Sequence, residues 1–439
     1  MTEVTKREGI SVGLIGLGVV GSGVARVLLE KADMIAQQVG APLQLKRVAD
    51  LDEAKGNSSL IPPHVFTTNA RTILEDPEID IVVELIGGEA PAQGFISDAI
   101  ERGKYVVTAN KELLAKHGPE LLALADEHRV GLFYEASVGG GIPVIAPLKR
   151  NLQVNSISAI HAIINGTTNY ILTRMEKEGL EFSAALKEAQ DLGYAEADPT
   201  SDVEGYDAAY KLAILATLAF RVDVRAKDVY HEGISRLAYQ DFRYAKELGY
   251  AIKLLAIARQ EDDSIQVRVH PTFVPEGLLL AKVDGVFNAI QIDGDLTGPV
   301  IFYGRGAGSL PTASAIIADT IQAAQSIRLG LQPRPQPKLD LSKKVTPMSD
   351  LRTRYYMRLT IADSSGVLAQ FAQVLAAHSI SISSAIQTEA DQSAKTAEIV
   401  VMTHPAQEAA VQRSLEEMRA LETVKEIGNV VRVEDWGTE

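Results

Sequence analysis

The sequence predicts an α/β chain. A parallel sheet wound on both faces by helices comes first, then an α+β domain, then a small C-terminal βαββαβ domain. Three observations predict it. Residues 11–150 alternate apolar strands with amphipathic helices. Residues 152–305 carry longer alternating strands mixed with helices. After a proline-rich stretch, the tail runs strand, helix, strand, strand, helix, strand.

In the first block, SVGLIGLG reads as a buried strand and VGSGVARVLLEKADMIAQQV as one helix. LQLKRVADLD, IDIVVELIGG and KYVVTAN read as further strands, with a helix through Phe95–Arg102 before the last. This βαβα order predicts a doubly wound sheet over residues 1–150. In the second block, residues 151–305, SISAIHAII, SIQVRVHPTF and FNAIQIDG read as strands of an open sheet. A helix around Thr312–Gln325 (within about 306–330) is expected to return to the first domain. Leu331–Lys344 has prolines at alternate positions, the mark of an extended linker, set at 331–349. In the tail, residues 350–439, strands are expected at Tyr355–Ala362, Ile380–Gln387, Ala397–Met402 and Val424–Val433, with helices at Val367–His378 and Gln407–Arg419. That is a ferredoxin-like order.

The 439 residues exceed one ordinary core. A net charge of −14 argues against nucleic acid or an anionic membrane as a partner. There are no cysteines, which excludes disulfides, thiolate metal sites and a cysteine nucleophile. The polar start MTEVTKREGI is not a secretory signal, and no apolar run is long enough to span a bilayer. A cytoplasmic location is the expectation.

Gly16-Leu17-Gly18-Val19-Val20-Gly21 follows an apolar strand and opens a helix. The first glycine permits the turn, the second lets a pyrophosphate approach the backbone, and the third lets helix pack on strand. The helix N-terminus offers free N–H groups to phosphates. A Rossmann-type dinucleotide site is expected, with Asp50 or Asp52 as the ribose acid, later than the usual ~20 residues. An acid there favours NAD. Arg47 and Lys55 stand near enough to accept the 2′-phosphate of NADP, so the preference stays open.

Ser201-Asp202-Val203-Glu204 fits a capping box that opens a helix from Asp202 to Phe220. Lys211 lies one turn after Asp207 on it, and LAILATLAF follows without a charge. On an ordinary surface helix such a pair is a salt bridge worth about 0.3–0.5 kcal/mol. Here no polar stripe exists for Lys211 to join, so its ammonium is expected to be paired and buried or to enter a cleft. There it would protonate a carbonyl oxygen. Glu196, Asp202, Glu204 and Asp207 are more acids than one lysine needs, and the surplus would suit a substrate ammonium. Spacing does not choose between Glu204 and Asp207.

Gly193-Tyr194-x-Glu196-x-Asp198-Pro199 through Asp202, Gly205, Asp207 and Lys211 resembles the signature of homoserine dehydrogenases. GLGVVGSGV, VVELIGG, VVTANKELLA, FYEASVGGGIPVI and INGTTNYIL resemble other blocks of that family along the whole chain. The resemblance implies reduction of L-aspartate 4-semialdehyde to L-homoserine with NADH or NADPH, in threonine and methionine biosynthesis. It implies Lys211 as proton donor, with Lys111 assisting in the same cleft and at the cofactor. Glu196 and Asp207, with Asp202, would hold the substrate ammonium, which makes Glu204 the cap acid. It implies cofactor contacts at Ile86, Gly87, Thr108, Gly193, Gly306 and Gly308, besides the glycine loop and Asp50. It also implies a sodium site at Glu135 with carbonyls at Val138, Gly140 and Ile142; hard oxygen ligands suit that cation. The second block would be the catalytic and dimerisation domain.

The tail resembles an ACT domain, with Asp363, Gly366 and Val367 as the effector loop and threonine as the implied effector. Ser365 stands where the family's loop more often has proline. A dimer or tetramer is expected. A non-catalytic sensor of nucleotide and amino acid is the alternative, which the complete lysine and carboxylate set disfavours.

Overall fold

The structure, a computed structural model, describes residues 9–56, 60–334, 338–340, 342–391 and 393–436. Residues 1–8 and part of the proline-rich stretch lie outside the described residues. The chain divides into two compact units. One comprises Met1–Ser158, Tyr210–Asp228 and Asn288–Ser342, the other Ala159–Ala209, Val229–Phe287 and Lys343–Glu439.

The first unit is built on a parallel six-stranded sheet: β1 (Ile10–Ile15), β2 (Leu43–Ala49), β3 (Phe66–Thr67), β4 (Ile81–Glu84), β5 (Tyr105–Thr108) and β6 (Leu132–Phe133). Their order is β3-β2-β1-β4-β5-β6. β1 and β4 are buried nearly throughout, as strands covered on both faces must be. The predicted single helix after β1 is two, α1 (Val19–Glu30) and α2 (Ala32–Val39). The chain bends at Lys31, whose φ and ψ of −113° and 23° leave the helical range. Val24, Ala25 and Leu28 of α1 face β1 in the core. The helix Ser309–Arg328 lies on α1, and its Ala313, Ile316 and Ile317 complete the same core. Ser309 Oγ donates to the Val19 carbonyl at 2.8 Å. Adding a Cβ at Gly23 would bring it within 2.5 Å of Ser309 Oγ, so that glycine permits the approach.

In the second unit, Ile157–Ile163, Tyr250–Glu261 and Ser264–Pro275 form an antiparallel run. The tail has the βαββαβ order: Arg352–Ala362, the helix Val367–Ala377, Ile382–Asp391, Thr396–Thr403, the helix Glu408–Arg419 and Val424–Val433. Alternate residues of its first strand, Tyr355, Met357, Leu359 and Ile361, face the two helices. The opposite face meets the rest of the unit. Tyr356 stacks on Phe273 at 4.6 Å, and Arg358 Nε donates to the buried Asp241 at 2.7 Å. Val424–Val433 continues into the same sheet, pairing in parallel with Ser264–Pro275 at Thr272 and Phe273.

The capping box predicted at Ser201 is absent. Thr200–Val203 is a separate turn of helix, and the long helix starts at Tyr206 and ends at Phe220. Gly205, at φ +85°, separates them. Glu204 is not a cap acid; it accepts from Ser235 Oγ at 2.9 Å.

Candidate active site

The strand order reverses between β1 and β4, so a crevice opens at their carboxyl ends, where doubly wound sheets take dinucleotides. The predicted glycine loop forms one wall. Gly16 has φ +99°, and a Cβ there would lie 2.8 Å from the Leu85 carbonyl. A Cβ on Gly21 would lie 2.0 Å from the Gly16 carbonyl oxygen. Gly18 meets nothing within 4 Å, and it precedes α1 with no side-chain cap. The first N–H groups of α1 thus lack a side-chain acceptor at the point where backbone is most approachable. Gly18 and Val19 are exposed while Leu17 is buried. These features fit a pyrophosphate.

Asp50 is spent inside this wall. It accepts from the Leu17 N–H at 2.7 Å, the Asp52 N–H at 3.0 Å and Lys55 Nζ at 2.9 Å. Burial pushes its carboxyl up, but these three donors hold it below the ordinary carboxylate range. Asp50 therefore braces the glycine loop, and any ribose hydroxyl would share an acceptor already engaged.

The opposite wall is the turn after β4. Ile86, Gly87 and Gly88 are exposed, the two glycines at φ +72° and +71°. Beneath them Glu84 is wholly buried. Its Oε1 accepts from the N–H groups of Ile86 at 2.8 Å and Gly87 at 3.3 Å, and its Oε2 from Thr108 Oγ1 at 2.6 Å. Thr108 in turn accepts from the Asn110 N–H at 3.0 Å. Asn110 caps the helix Lys111–His128 through the Leu113 N–H at 3.1 Å and donates to the Gly88 carbonyl at 2.7 Å. Thr108, predicted to touch cofactor, has no exposed surface and supports the crevice instead. Lys111, the first residue of that helix, is half-buried.

Lys211 is 8% exposed and Asp207 3%, one turn apart on the helix Tyr206–Phe220. The two units divide within this helix, between Ala209 and Tyr210. On the Asp207 side, Asn165 Nδ2 donates to Asp202 at 2.6 Å and to Asp207 at 2.9 Å, joining the two carboxylates. Asn165 Oδ1 accepts from the Thr168 N–H at 2.8 Å and so caps the helix Gly166–Glu178. Glu196 is exposed on the loop before this point. The loop is tied down by Thr167 Oγ1 donating to the Tyr194 carbonyl at 2.7 Å. Gly193, at φ +73°, turns the chain there.

Sequence reasoning missed Asn165 and Glu84. The signals were an asparagine between an apolar strand and GTTN, and one acid closing the apolar run IVVE.

The Glu135 carboxylate is engaged by backbone. It accepts from the N–H groups of Val144, Ile145 and Ala146 at 2.6, 2.8 and 2.7 Å, at the start of the helix Ile145–Arg150. A cation on this loop would therefore take backbone carbonyls rather than that side chain. No cluster of three His, Cys, Asp or Glu suited to a metal occurs among the described residues. The loop of Val138, Gly140 and Ile142 lies against Gly306: the Gly141 N–H reaches the Arg305 carbonyl at 3.2 Å, and a Cβ on Gly140 would meet the Gly306 oxygen at 2.3 Å. Gly308, at φ +121°, precedes the helix Ser309–Arg328. In the tail, Gly366 at φ +91° precedes the helix Val367–Ala377, with Asp363 exposed and Val367 buried.

A glycine loop and helix N-terminus at a sheet switch point are the features of a dinucleotide-binding protein, and a buried lysine and carboxylate one turn apart on a helix suit an oxidoreductase. Residues 143–321 match the family described as homoserine dehydrogenase, residues 16–135 its NAD-binding domain and residues 355–423 the ACT domain. A homoserine dehydrogenase of Neisseria gonorrhoeae is 42% identical over 431 residues, 97% of this chain and 98% of that one. The crystal structure of a homoserine dehydrogenase from Thiobacillus denitrificans superposes with a TM-score of 0.90 at 44% identity, covering 98% of this chain and 99% of that one. A hyperthermophilic archaeal homoserine dehydrogenase in complex with NADPH has a TM-score of 0.63 at 28% identity, over 75% of this chain and all of its own. The chain belongs to the homoserine dehydrogenase family. It carries that family's NAD-binding and catalytic parts and an ACT domain, and the non-catalytic alternative falls away.

Proposed function

We propose that this chain interconverts L-aspartate 4-semialdehyde and L-homoserine, with Lys211 as the proton donor and acceptor. The observation that carries the reading is the burial of Lys211 one turn from Asp207 on a helix otherwise apolar beyond it. NAD(P)H, when bound, would supply the hydride that the aldehyde carbon takes. The N–H groups at the start of α1 and the open backbone at Gly18 would hold the pyrophosphate, and the exposed turn at Ile86 and Gly87 would meet the nicotinamide end. Asp207, with Asp202 and Glu196, takes the substrate ammonium. Lys211 gives its proton to the aldehyde oxygen as the C–H bond forms, and Lys111 assists. One aldehyde, one hydride and one proton make one alcohol, and the reverse direction returns each. Fixed charge and orientation supply most of the rate. No covalent intermediate is needed, in keeping with a chain that has no cysteine.

The reading extends to the three-part division at 150, 305 and 350 and to cytoplasmic, oligomeric operation. It extends also to sodium on the carbonyls of Glu135, Val138, Gly140 and Ile142, and to threonine acting through Asp363, Gly366 and Val367. No helix among the described residues is long and apolar enough to cross a membrane. Either NAD or NADP is compatible with the chain, since Arg47 and Lys55, the latter paired with Asp50 at 2.9 Å, lie at the strand end that would meet a 2′-phosphate. Following nicotinamide absorbance with L-homoserine and each cofactor tests it. Homoserine-dependent reduction supports the reading, and none with either cofactor overturns it. Slowing of that turnover by threonine, lost in a Gly366→Val variant, tests the effector loop.

A further inference from the structure

Glu84 closes a circuit of hydrogen bonds behind the exposed turn at residues 86–88. It ends β4, beside Ile15 of β1 on one side and Thr108 of β5 on the other, so it lies directly behind the switch point. Each acceptor position has a donor from a different part of the crevice. Oε1 gathers the N–H groups of Ile86 and Gly87, which form the exposed turn. Oε2 takes the Thr108 hydroxyl. Because that hydroxyl spends its proton on Glu84, its lone pair is presented to the Asn110 N–H. Asn110 then fixes both the start of the Lys111 helix and the far end of the turn at the Gly88 carbonyl. The circuit returns to Glu84 through Gly87.

A carboxyl group buried this completely costs free energy unless several donors meet it. A glutamine would satisfy the turn through its oxygen, but its NH2 would donate to Thr108 and turn that hydroxyl's own proton away, with no acceptor left for it at the strand end. An apolar residue of the same length would free three N–H or O–H groups in a dry strand end.

We propose that Glu84 is a positioning residue for hydride transfer: through Oε1 it sets the turn that meets the nicotinamide end, and through Thr108 and Asn110 it sets Lys111. This rests on the reading under Proposed function and adds the link that ties the hydride donor's wall to the second lysine. Glu84 itself need touch neither cofactor nor substrate.

The test compares wild type with Glu84→Gln, Thr108→Val and the double variant, using L-homoserine and NAD or NADP. Thermal midpoints are recorded alongside, and homoserine deuterated at the transferred hydrogen gives the isotope effect. Each single variant is expected to lose about tenfold or more in kcat with the KM for homoserine within about twofold. The isotope effect on kcat should be at least as large as in wild type, and the double variant should lose no more than the worse single, because both break one circuit. Thr108→Val carries the test alone if Glu84→Gln does not fold. Wild-type kcat in a folded variant, losses that multiply in the double variant, or a smaller isotope effect would overturn the inference and leave the dehydrogenase reading intact. A wild-type chain without homoserine-dependent turnover would overturn both.

Discussion

Replacing Asn165 by alanine should separate two tasks that one side chain performs. Its Oδ1 caps the helix Gly166–Glu178, and its Nδ2 holds Asp202 and Asp207 together. Loss of the cap costs about 1 kcal/mol. Loss of a donor to the buried Asp207 carboxylate costs a further ~1.5–3 kcal/mol. The denaturant midpoint should therefore fall by an amount equivalent to about 2.5–4 kcal/mol in the second unit. The functional effect is larger in the binding of substrate than of cofactor. With Asp207 free to turn away, the KM for homoserine should rise about 10- to 100-fold while the KM for NAD(P) changes little. Asn165→Asp makes the distinction sharper. An aspartate caps as well as asparagine, so most of the cap stability returns, but three acids then crowd together and the KM effect remains. Steady-state kinetics and urea melts on both variants read the result. A normal homoserine KM in Asn165→Ala would refute the idea that the Asn165 bridge prepares an ammonium site.

Gly21→Ala should abolish cofactor binding, because its methyl would sit 2.0 Å from the Gly16 carbonyl oxygen and overpacking costs about 1–3 kcal/mol or more; nucleotide fluorescence titration checks it. His270 is fully buried, and burial, with Arg432 and Arg268 nearby, pushes its pKa down to about 3. The unfolded chain takes up that proton near pH 6.5 and the folded one does not. Stability should therefore fall as pH drops from about 6.5 toward 3 and be fully present above it, and His270→Gln should flatten urea midpoints measured between pH 6.5 and 5. Arg432 pairs with Glu408 at 2.7 Å inside the tail and with Glu232 at 2.7 Å outside it. Arg432→Met should cost about 3–5 kcal/mol and make the tail an early site of proteolysis.

The strand-turn-helix at residues 11–30 was legible because it is local: an apolar run, three glycines at fixed offsets and a helix pattern. Lys211 was legible for the opposite reason, as one charge facing nine residues that have none. The tail's order could be read from alternation alone, since one face of its sheet is covered by helices. What escaped is set by contacts between distant residues. Glu84 meets Thr108 across 24 positions, and Asn165 meets Asp207 across 42. The sequence offered Asp50 as a ribose acid but did not show that it also accepts from the Leu17 N–H, 33 positions away. The Ser201 box obeyed a local rule that Gly205 overrode, since a left-handed residue there ends one helix before the next begins.

The measurement that bears most directly on the chemistry is homoserine-dependent reduction of NAD(P) by Lys211→Met, which keeps the apolar stem and removes the ammonium. The account predicts a kcat lower by about 10²- to 10⁴-fold, with NAD(P)H binding unchanged. A kcat within about threefold of wild type would mean that the proton comes from elsewhere, and Lys211 would lose its place in the reaction.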